Sequence, residues 1–278
     1  MKRFSNAFTL FGILILGACS YQNPSRNQPF DPIKTQGINL NDAQYIDLSH
    51  SYEENTLYWP TSPTRFQLES FSKGMTAGGW FYSANSISMP EHGGTHLDAP
   101  IHFDKNGLSN DEIPLTQLIG EGIIIDITEQ SAKNPDYRVQ LADIKALEKK
   151  NGSIPKGAII LLRTNWSKYW PNPLTYLGDD TKKDASNLHF PSFGVEATNY
   201  LIKERGVKAL GVDTASTDYG QSKNFIVHRL MGAHQIPGME NLTNLDKLPY
   251  KGFWVIALPI KTKGGSGGPL RAIAIIPN

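Results

Sequence analysis

The sequence of 278 residues contains a single cysteine, Cys19, so no disulfide can form within one chain. Many exported domains use disulfides to make up for a small core. Here the fold must instead depend on its hydrophobic core, with a bound metal ion as a further source of stability. Hydrophobic residues make up 39% of the chain, which is enough to build the core of one ordinary large domain.

The sequence also lacks an excess of charge of either sign and any long hydrophobic run. Lys and Arg number 27 against 26 Asp and Glu, a formal net charge of +1, so we expect no nucleic-acid partner. The apolar run Ala7–Ala18 is only 12 residues long. A transmembrane helix needs roughly 20 apolar residues, which makes a permanent spanning helix the weaker interpretation.

The N-terminus has the pattern of a bacterial export signal. Lys2 and Arg3 precede the short apolar run, as in a signal peptide. The run ends in Leu16-Gly17-Ala18-Cys19, which resembles the lipobox that is cleaved before a lipidated cysteine. Ser20 in the next position resembles the sorting signal for the outer membrane. We therefore expect a lipid anchor on Cys19 and a location on the bacterial envelope, at the outer membrane facing the periplasm.

Composition divides the rest of the chain into a linker and one domain. Residues 19–42 begin with the lipidated cysteine and are rich in Asn, Gln, Pro and Ser, which is typical of a flexible tether. Residues 1–18 form the predicted signal peptide, and residues 43–278 the predicted domain. The membrane contact is expected through the lipid alone.

Short apolar runs rich in Ile and Val predict an α/β domain with much sheet. Two helices are predicted at Gln140–Lys149 and Gly194–Arg205, and a third near Glu240. The predicted strands are Tyr45–Leu48, Phe81–Met89, Gly122–Ile127, Ala158–Arg163, Ala209–Val212, Gly252–Leu258 and Arg271–Ile276.

The segment 92–102 holds three of the seven histidines in the sequence together with Asp98. A strand would hold His92 and His96 about 13 Å apart, too far for one ion. A helix is disfavoured because Gly93-Gly94 costs about 2 kcal/mol relative to alanine and a proline follows at position 100. We therefore predict a turn in which the two glycines bend the chain and bring His92 beside His96.

His96 and Asp98 are two residues apart, so a short extended piece places both on one face and Leu97 on the other, toward the core. Two imidazoles and a carboxylate suit Zn²⁺ or Mn²⁺ and leave a coordination position for water. Such a site activates water for amide hydrolysis. His102, beyond the bend at Ala99-Pro100, is the candidate general base that passes the water's proton to the leaving nitrogen.

The stretch HGGTHLDAPIHF resembles the HxGTHxDxPxHF signature of the cyclase family, which includes bacterial kynurenine formamidase and isatin hydrolase. The resemblance runs from Tyr45-Ile46-Asp47-Leu48-Ser49-His50 to Gly268-Pro269-Leu270-Arg271-Ala272. It implies a layered α/β/β domain with a mixed sheet of the swivelling β/β/α type. It also implies a homodimer or higher homo-oligomer, and a small-molecule amide substrate.

The resemblance further implies a second set of ligands. His228 and Glu240 stand twelve residues apart, as in the family, and would complete a site for one or two ions bridged by Asp98. His234 lies between them, and spacing alone does not decide which imidazole turns inward. A carboxylate near a helix start would be kept ionised by free N–H groups, which is how we interpret Glu240.

Supporting residues are harder to identify from the sequence. Asp213, Ser216 and Asp218 follow the strand that ends at Val212, and we expect these residues, Asp213 and Ser216 foremost, to support the ligands, although a polar turn explains them as well. His50 and His189 are expected to be structural. The aromatic residues expected near the substrate, which core packing explains equally well, are Trp59, Phe66, Trp80 and Phe81.

Two other classes of function compete with a metal-dependent amidohydrolase. Gly264–Gly268 matches the GxSxG pattern of a serine hydrolase, but Pro269 and a strand follow instead of a helix, and no histidine occurs after His234. A non-catalytic lipoprotein could use the same cluster to bind a metal or small ligand, yet it would have no use for a separate base at His102. The sequence leaves open whether the amide is cyclic, an imide or an N-formyl aromatic amide.

Overall fold

The computed structural model describes residues 39–278, so the predicted signal peptide, Cys19 and most of the tether lie outside the described residues. The strands are β1 Gln44–Asp47, β2 Gln67–Met75, β3 Phe81–Ser88, β4 His96–Asp98, β5 Ile119–Asp126, β6 Arg138–Val139, β7 Ile159–Arg163, β8 Ser192–Phe193, β9 Ala209–Val212, β10 Gly238–Glu240, β11 Phe253–Pro259 and β12 Gly267–Ile276. The α-helices are α1 Leu115–Leu118, α2 Thr128–Lys133, α3 Leu141–Asn151, α4 Pro173–Tyr176, α5 Val195–Arg205 and α6 Ile226–Ala233.

The main sheet closes on itself. Its eight strands follow the order β1-β12-β11-β5-β7-β9-β10-β4, and β4 pairs again with β12. This second pairing joins the strands of the main sheet, except β1, into a closed barrel. The pairs β5–β7, β7–β9 and β9–β10 are parallel, and the remaining pairs are antiparallel. The prediction of an α/β fold with a mixed sheet is confirmed.

Successive side chains of the central strands face opposite sides of the sheet, and they divide the core into two layers. Ile124 on β5 and Leu161 on β7 belong to the cluster inside the barrel. Their neighbours Ile123 and Ile160 point to the opposite face and pack with residues of α3 and α5. Because successive side chains of a strand face opposite sides, a strand buried on both faces needs an unbroken apolar run. The helices therefore cover the outer side of the parallel strands.

All seven predicted strands and the two firmly placed helices occur within a few residues of their expected bounds. The third predicted helix is wrong, because Glu240 ends strand β10, which is paired on both edges, with β9 and β4. Helix α6 was not predicted, and neither was β2. Within the described range, no helix has both the length and the apolar character that crossing a membrane requires.

Strands β2 and β3 form a two-stranded antiparallel hairpin separate from the main sheet. Large apolar side chains of this hairpin are between 51% and 71% exposed, namely Leu68, Phe71, Met75, Trp80, Phe81, Tyr82 and Ile87. Isolated hairpins are marginally stable in water. An apolar patch of this kind marks a surface that is normally covered.

Candidate metal centre

The turn that leads into β4 depends on two glycines. Gly93 and Gly94 have φ angles of 141° and 59°. A Cβ atom on Gly93 would lie 2.0 Å from Cδ1 of Tyr58, and one on Gly94 would lie 2.4 Å from Cε1 of Tyr52. Both the backbone angle and the space therefore require glycine. The turn brings the rings of His92 and His96 to a centroid distance of 5.5 Å, so the expected glycine turn is confirmed.

Strand β4 presents His96 and Asp98 on one face and buries Leu97 completely inside the barrel. Nε2 of His96 lies 3.2 Å from Oδ1 of Asp98. The antiparallel register pairs His96 with Glu240 on β10, and Nε2 of His96 is 3.6 Å from Oε2 of Glu240. Thus the sheet register brings together residues that are far apart in sequence.

Asp98 is the common member of two groups of potential ligands. Its Oδ1 lies 2.6 Å from Nδ1 of His92, and its Oδ2 lies 3.1 Å from Nε2 of His228. One group consists of His92, His96 and Asp98, the other of Asp98, His228 and Glu240, and the ligand atoms within each group lie within 4.8 Å of one another. Nitrogen and carboxylate donors at this spacing fit a transition-metal ion, and a shared carboxylate fits a bridge between two.

His228 is oriented by Asp218. The Asp218 carboxylate accepts hydrogen bonds from the backbone N–H groups of Val227 (3.1 Å) and His228 (3.0 Å) at the start of α6. It also accepts one from Nδ1 of His228 at 2.7 Å, which leaves Nε2 to face the other carboxylates, 3.1 Å from Oε1 of Glu240. By contrast, His234 is exposed and its Nδ1 donates to the carbonyl of Leu230. The structure thus turns His228, and not His234, toward Asp98.

The buried carboxylates determine the charge of the imidazoles. Burial by itself would lower the pKa of His96, but the adjacent Asp98 outweighs it and raises that pKa to about 9. Burial also opposes a charge on His228, yet its hydrogen bonds with Asp218, Asp98 and Glu240 hold its pKa well above the usual value. Burial would raise the pKa of Asp98, but the surrounding histidines hold it well below its usual range. These carboxylates favour positive charge at this point, which a divalent cation also supplies.

His102 lies beside this cluster but belongs to neither ligand group. It ends a 3₁₀ turn at Pro100–His102, and its ring stacks on His92 at a centroid distance of 3.8 Å. Burial lowers the pKa of His102 to about 4, against the attraction of Asp98. A neutral imidazole therefore stands next to the ligands at neutral pH.

Asp213 supports the surrounding loops and does not touch the ligands. Its Oδ1 accepts hydrogen bonds from the N–H (2.9 Å) and hydroxyl (2.7 Å) of Thr164. The hydroxyl of Tyr176 donates to the backbone carbonyl of Asp213 and lies 2.9 Å from Oδ1 of Asn241. Asn241 in turn donates to the carbonyl of Gly94, at 2.7 Å. Asp213 is thus linked to the glycine turn through two intermediate side chains.

Ser216 and Thr217 support the ligand group that contains His228 and Glu240. The Ser216 hydroxyl accepts a hydrogen bond from the N–H of Asp218, and Ser216 also lines the central cavity. The N–H of Thr217 donates to Oε1 of Glu240 at 2.8 Å. Sequence reasoning missed Thr217 and Asn241, because polar residues in a loop give no signal of the long-range partners they reach.

A cavity of about 420 Å³ opens over the imidazoles and carboxylates. Its walls are mostly apolar and aromatic, and the side chains that give them this character include Leu57, Tyr58, Trp59, Phe103, Leu177 and Phe225. Drug-sized ligands occupy cavities of this size and lining. The site is therefore a mostly apolar cavity with the imidazoles and carboxylates at its base.

Of the aromatic residues expected to line the pocket, only Trp59 does so. The other three do not line this cavity in a single chain. Phe66 packs against Tyr52 at a centroid distance of 5.8 Å. Trp80 and Phe81 are 62% and 60% exposed because they lie on the β2–β3 hairpin, away from the barrel.

The sequence profile described as "Putative cyclase" matches residues 46–219 of the chain, more than half of its length. The chain belongs to the cyclase family. An isatin hydrolase of Roseibium aggregatum is 33% identical over 207 residues, which cover 72% of this chain and 77% of the relative. A kynurenine formamidase of Bacillus mycoides is 26% identical over 235 residues, 83% of this chain and 97% of the relative.

Solved structures of cyclase-family proteins share the fold. Isatin hydrolase A from Labrenzia aggregata, bound to benzyl benzoate, superposes with a TM-score of 0.78 at 33% identity, covering 86% of this chain and 95% of that one. An isatin hydrolase bound to the product analogue thioisatinate gives a TM-score of 0.78 at 29% identity, covering 86% and 94%. The layered α/β architecture expected from the family signature is confirmed.

Replacing each of the two competing histidines tests which one holds a metal. We expect His228→Ala to bind Zn²⁺ at least tenfold more weakly than the wild type, because it removes one ligand nitrogen from the group around Asp98. His234→Ala is the matched control and should leave affinity unchanged. Calorimetric titration with Zn²⁺ measures both. An unchanged affinity in His228→Ala would contradict the geometric assignment.

Proposed function

We propose that this cyclase-family protein is a metal-dependent amidohydrolase. The observation that carries the proposal is the arrangement around Asp98, where one carboxylate is shared by two ligand groups beside a neutral imidazole at the floor of an aromatic cavity. The relatives named isatin hydrolase and kynurenine formamidase support the same class of reaction. The substrate is a cyclic amide or imide, or an N-formyl aromatic amide.

The proposed ligands are His92, His96, Asp98, His228 and Glu240, which hold one or two Zn²⁺ or Mn²⁺ ions. Their side chains fit an ion because imidazole nitrogens and carboxylate oxygens converge in a buried site with no lysine or arginine among them. An ion bound there supplies Lewis acidity, which makes a water molecule acidic and polarises the substrate carbonyl. Asp218, Thr217 and the glycine turn hold the ligands in place.

His102 is the proposed general base. Burial lowers its pKa, so the imidazole is neutral at working pH and starts in the form that accepts a proton; the charge of Asp98 favours the protonated form and partly offsets the effect of burial. The ring of His102 stacks on His92, and both side chains line the cavity. The imidazole would take a proton from water as the water oxygen bonds to the amide carbonyl carbon, and would deliver that proton to the nitrogen as the C–N bond breaks.

The cavity favours an aromatic substrate. Trp59, Phe103 and Phe225 supply faces and edges against which a planar ring can pack. Between a cyclic amide or imide and an N-formyl aromatic amide, we favour the cyclic amide. The isatin hydrolase relative is more similar to this chain than the kynurenine formamidase is. An exported location would also suit an external substrate better than one from intracellular metabolism.

A hydrolysis panel tests the proposed reaction. The purified chain, incubated with isatin, N-formylkynurenine and a cyclic imide, should hydrolyse at least one of them. A chelator should abolish the activity, and added Zn²⁺ or Mn²⁺ should restore it, because the ligands lose their function without an ion. Absence of chelator-sensitive turnover on every amide would favour the non-catalytic binding lipoprotein.

The His102→Ala variant is the control that separates catalysis from binding. A general base contributes typically 10²- to 10⁴-fold to a rate, so we expect turnover to fall by that amount while metal content stays at the wild-type level. Metal content is measured by atomic emission on the same samples. Loss of both quantities, or of neither, would contradict the role of His102.

We also propose that the protein is a homodimer or higher homo-oligomer in which the apolar face of the β2–β3 hairpin is covered by another copy. The exposed Phe71 and Trp80 support this, since such large side chains are costly to leave in water. Light scattering should give at least twice the mass of one chain. A Phe71→Ser, Trp80→Ser double variant should shift the mass toward the monomer. A monomeric wild type would contradict the proposal.

The N-terminal pattern leads to a further proposal about location. Residues 1–18 act as a signal peptide, Cys19 carries the lipid, the residues up to 42 form the tether, and 43–278 form the catalytic domain at the periplasmic side of the outer membrane. Cys19→Ser should prevent incorporation of labelled palmitate and remove the chain from the membrane fraction. Unchanged membrane association would contradict the anchor.

A further inference from the structure

Ser266 and Glu91 form a hydrogen-bonded chain that ends on the ring of His92. The hydroxyl of Ser266 donates to Oε2 of Glu91 at 2.6 Å, and the N–H of Ser266 donates to the same oxygen at 3.0 Å. On its other side, the hydroxyl oxygen lies 2.8 Å from Nε2 of His92. Neither Ser266 nor Glu91 lines the central cavity.

Counting protons in this chain places a hydrogen on Nε2 of His92. An ionised carboxylate has only acceptors, and a serine hydroxyl has one proton. Because that proton points to Glu91, the serine oxygen must accept from Nε2 of His92, which therefore carries a hydrogen. The nitrogen left to face the carboxylates is then Nδ1, which lies 2.6 Å from Oδ1 of Asp98. A contact this short needs a shared proton, and a bound metal ion would take the place of that proton.

His92 thus differs from the other two imidazoles of the centre. In His96, Nδ1 donates to the carbonyl of Gly94, and in His228, Nδ1 donates to Asp218. Both of these residues leave Nε2 free. The ring of His92 has the opposite orientation, with Nε2 bonded to Ser266 and Nδ1 facing Asp98.

The backbone around Ser266 is held tightly enough to orient a ring. The N–H of Ala99 donates to the carbonyl of Ser266 at 2.9 Å, and that of Asn110 to the carbonyl of Gly265 at 2.8 Å. A Cβ atom on Gly267 would lie 2.7 Å from Cε1 of His92, so only glycine lets the start of β12 approach this closely. The close approach places the Ser266 hydroxyl against Nε2.

We propose that Glu91 and Ser266 are positioning residues that hold His92 in the tautomer whose Nδ1 faces the metal. The assignment rests on the proposed function only in taking His92 as a ligand. Groups that hydrogen-bond a ligating histidine fix its ring and its proton, and their loss typically weakens metal binding 10- to 100-fold. The glycine-rich segment 264–268 therefore serves the metal centre.

Ser266, His92 and Asp98 also have the connectivity of a Ser–His–Asp triad, which is the competing interpretation of the same distances. Two observations speak against a nucleophilic serine. Its proton is directed to Glu91 and not to His92. Its hydroxyl also lies outside the cavity in which a substrate would bind.

The tautomer is tested directly by NMR of the full chain with ¹⁵N-labelled histidine, loaded with Zn²⁺. Long-range ¹H–¹⁵N correlations should show His92 bound through Nδ1, with a proton on Nε2, and His96 and His228 bound through Nε2. Coordination of His92 through Nε2 would overturn the proposal.

Zinc affinity, measured by competition with a chelator, provides the second test. Ser266→Ala and Glu91→Ala should each bind Zn²⁺ 10- to 100-fold more weakly than the wild type. Ser109→Ala is the matched control, since it removes a buried hydroxyl bonded to Asp111 and Glu112 without touching His92, and it should leave affinity unchanged. Wild-type affinity in both test variants, or labelling of Ser266 by a fluorophosphonate, would overturn the proposal.

The outcomes also separate this inference from the proposed reaction. Binding of Zn²⁺ through Nδ1 with loss of affinity in Ser266→Ala, but without hydrolysis of any amide, supports the positioning role and contradicts the amidohydrolase. Chelator-sensitive hydrolysis with full Zn²⁺ affinity in Ser266→Ala supports the amidohydrolase and contradicts the positioning role.

Discussion

The pairing of β4 on both of its edges is the constraint on which the rest of the structure depends. This three-residue strand lies between β10 and β12 and closes the barrel. The same pairing buries Leu97 inside and presents His96 and Asp98 to the cavity. Because a strand's side chains alternate, a shift of one residue would exchange core and site residues. Fold closure and the metal centre therefore depend on one register.

The electrostatics of the centre explain why its residues are supported so thoroughly. Asp98 and Glu240 are almost completely buried, and isolated buried charges are strongly unfavourable in a protein interior. Each ligand side chain is met by a neighbouring donor or acceptor, for example Thr217 at Glu240 and Asp218 at His228. A cation held between the carboxylates would balance their charge. In this view, the ligands and the ion stabilise one another.

Local chemistry allowed much of the site to be predicted. The glycine turn, the extended piece at His96–Asp98 and the burial of Leu97 follow from backbone geometry and the two-residue period of a strand. Strands β5, β7 and β9 were predictable because both of their faces are apolar, as in β7. The place of His102 beside the ligands was foreseen from the bend at Pro100.

Features that depend on distant parts of the chain could not be predicted in the same way. Glu240 was placed on a helix because a carboxylate at a helix start is chemically reasonable, whereas pairing with β4 makes Gly238–Glu240 a strand. Trp80 and Phe81 resemble core or pocket residues in sequence, but only the structure reveals that their hairpin lies apart from the barrel. The glycine-rich segment around Ser266 matched a local pattern whose actual partner, His92, is 174 positions away in the sequence.

The central claim is that the Asp98 carboxylate binds the metal, in one or both of the two ligand groups that it joins. Its most direct test is a crystal structure of the protein grown with Mn²⁺, with anomalous scattering used to locate the ions. The account predicts anomalous density within coordination distance of the Asp98 carboxylate, in one or both of the ligand groups that share it. Ions located elsewhere, or bound to the histidines without Asp98, would contradict it.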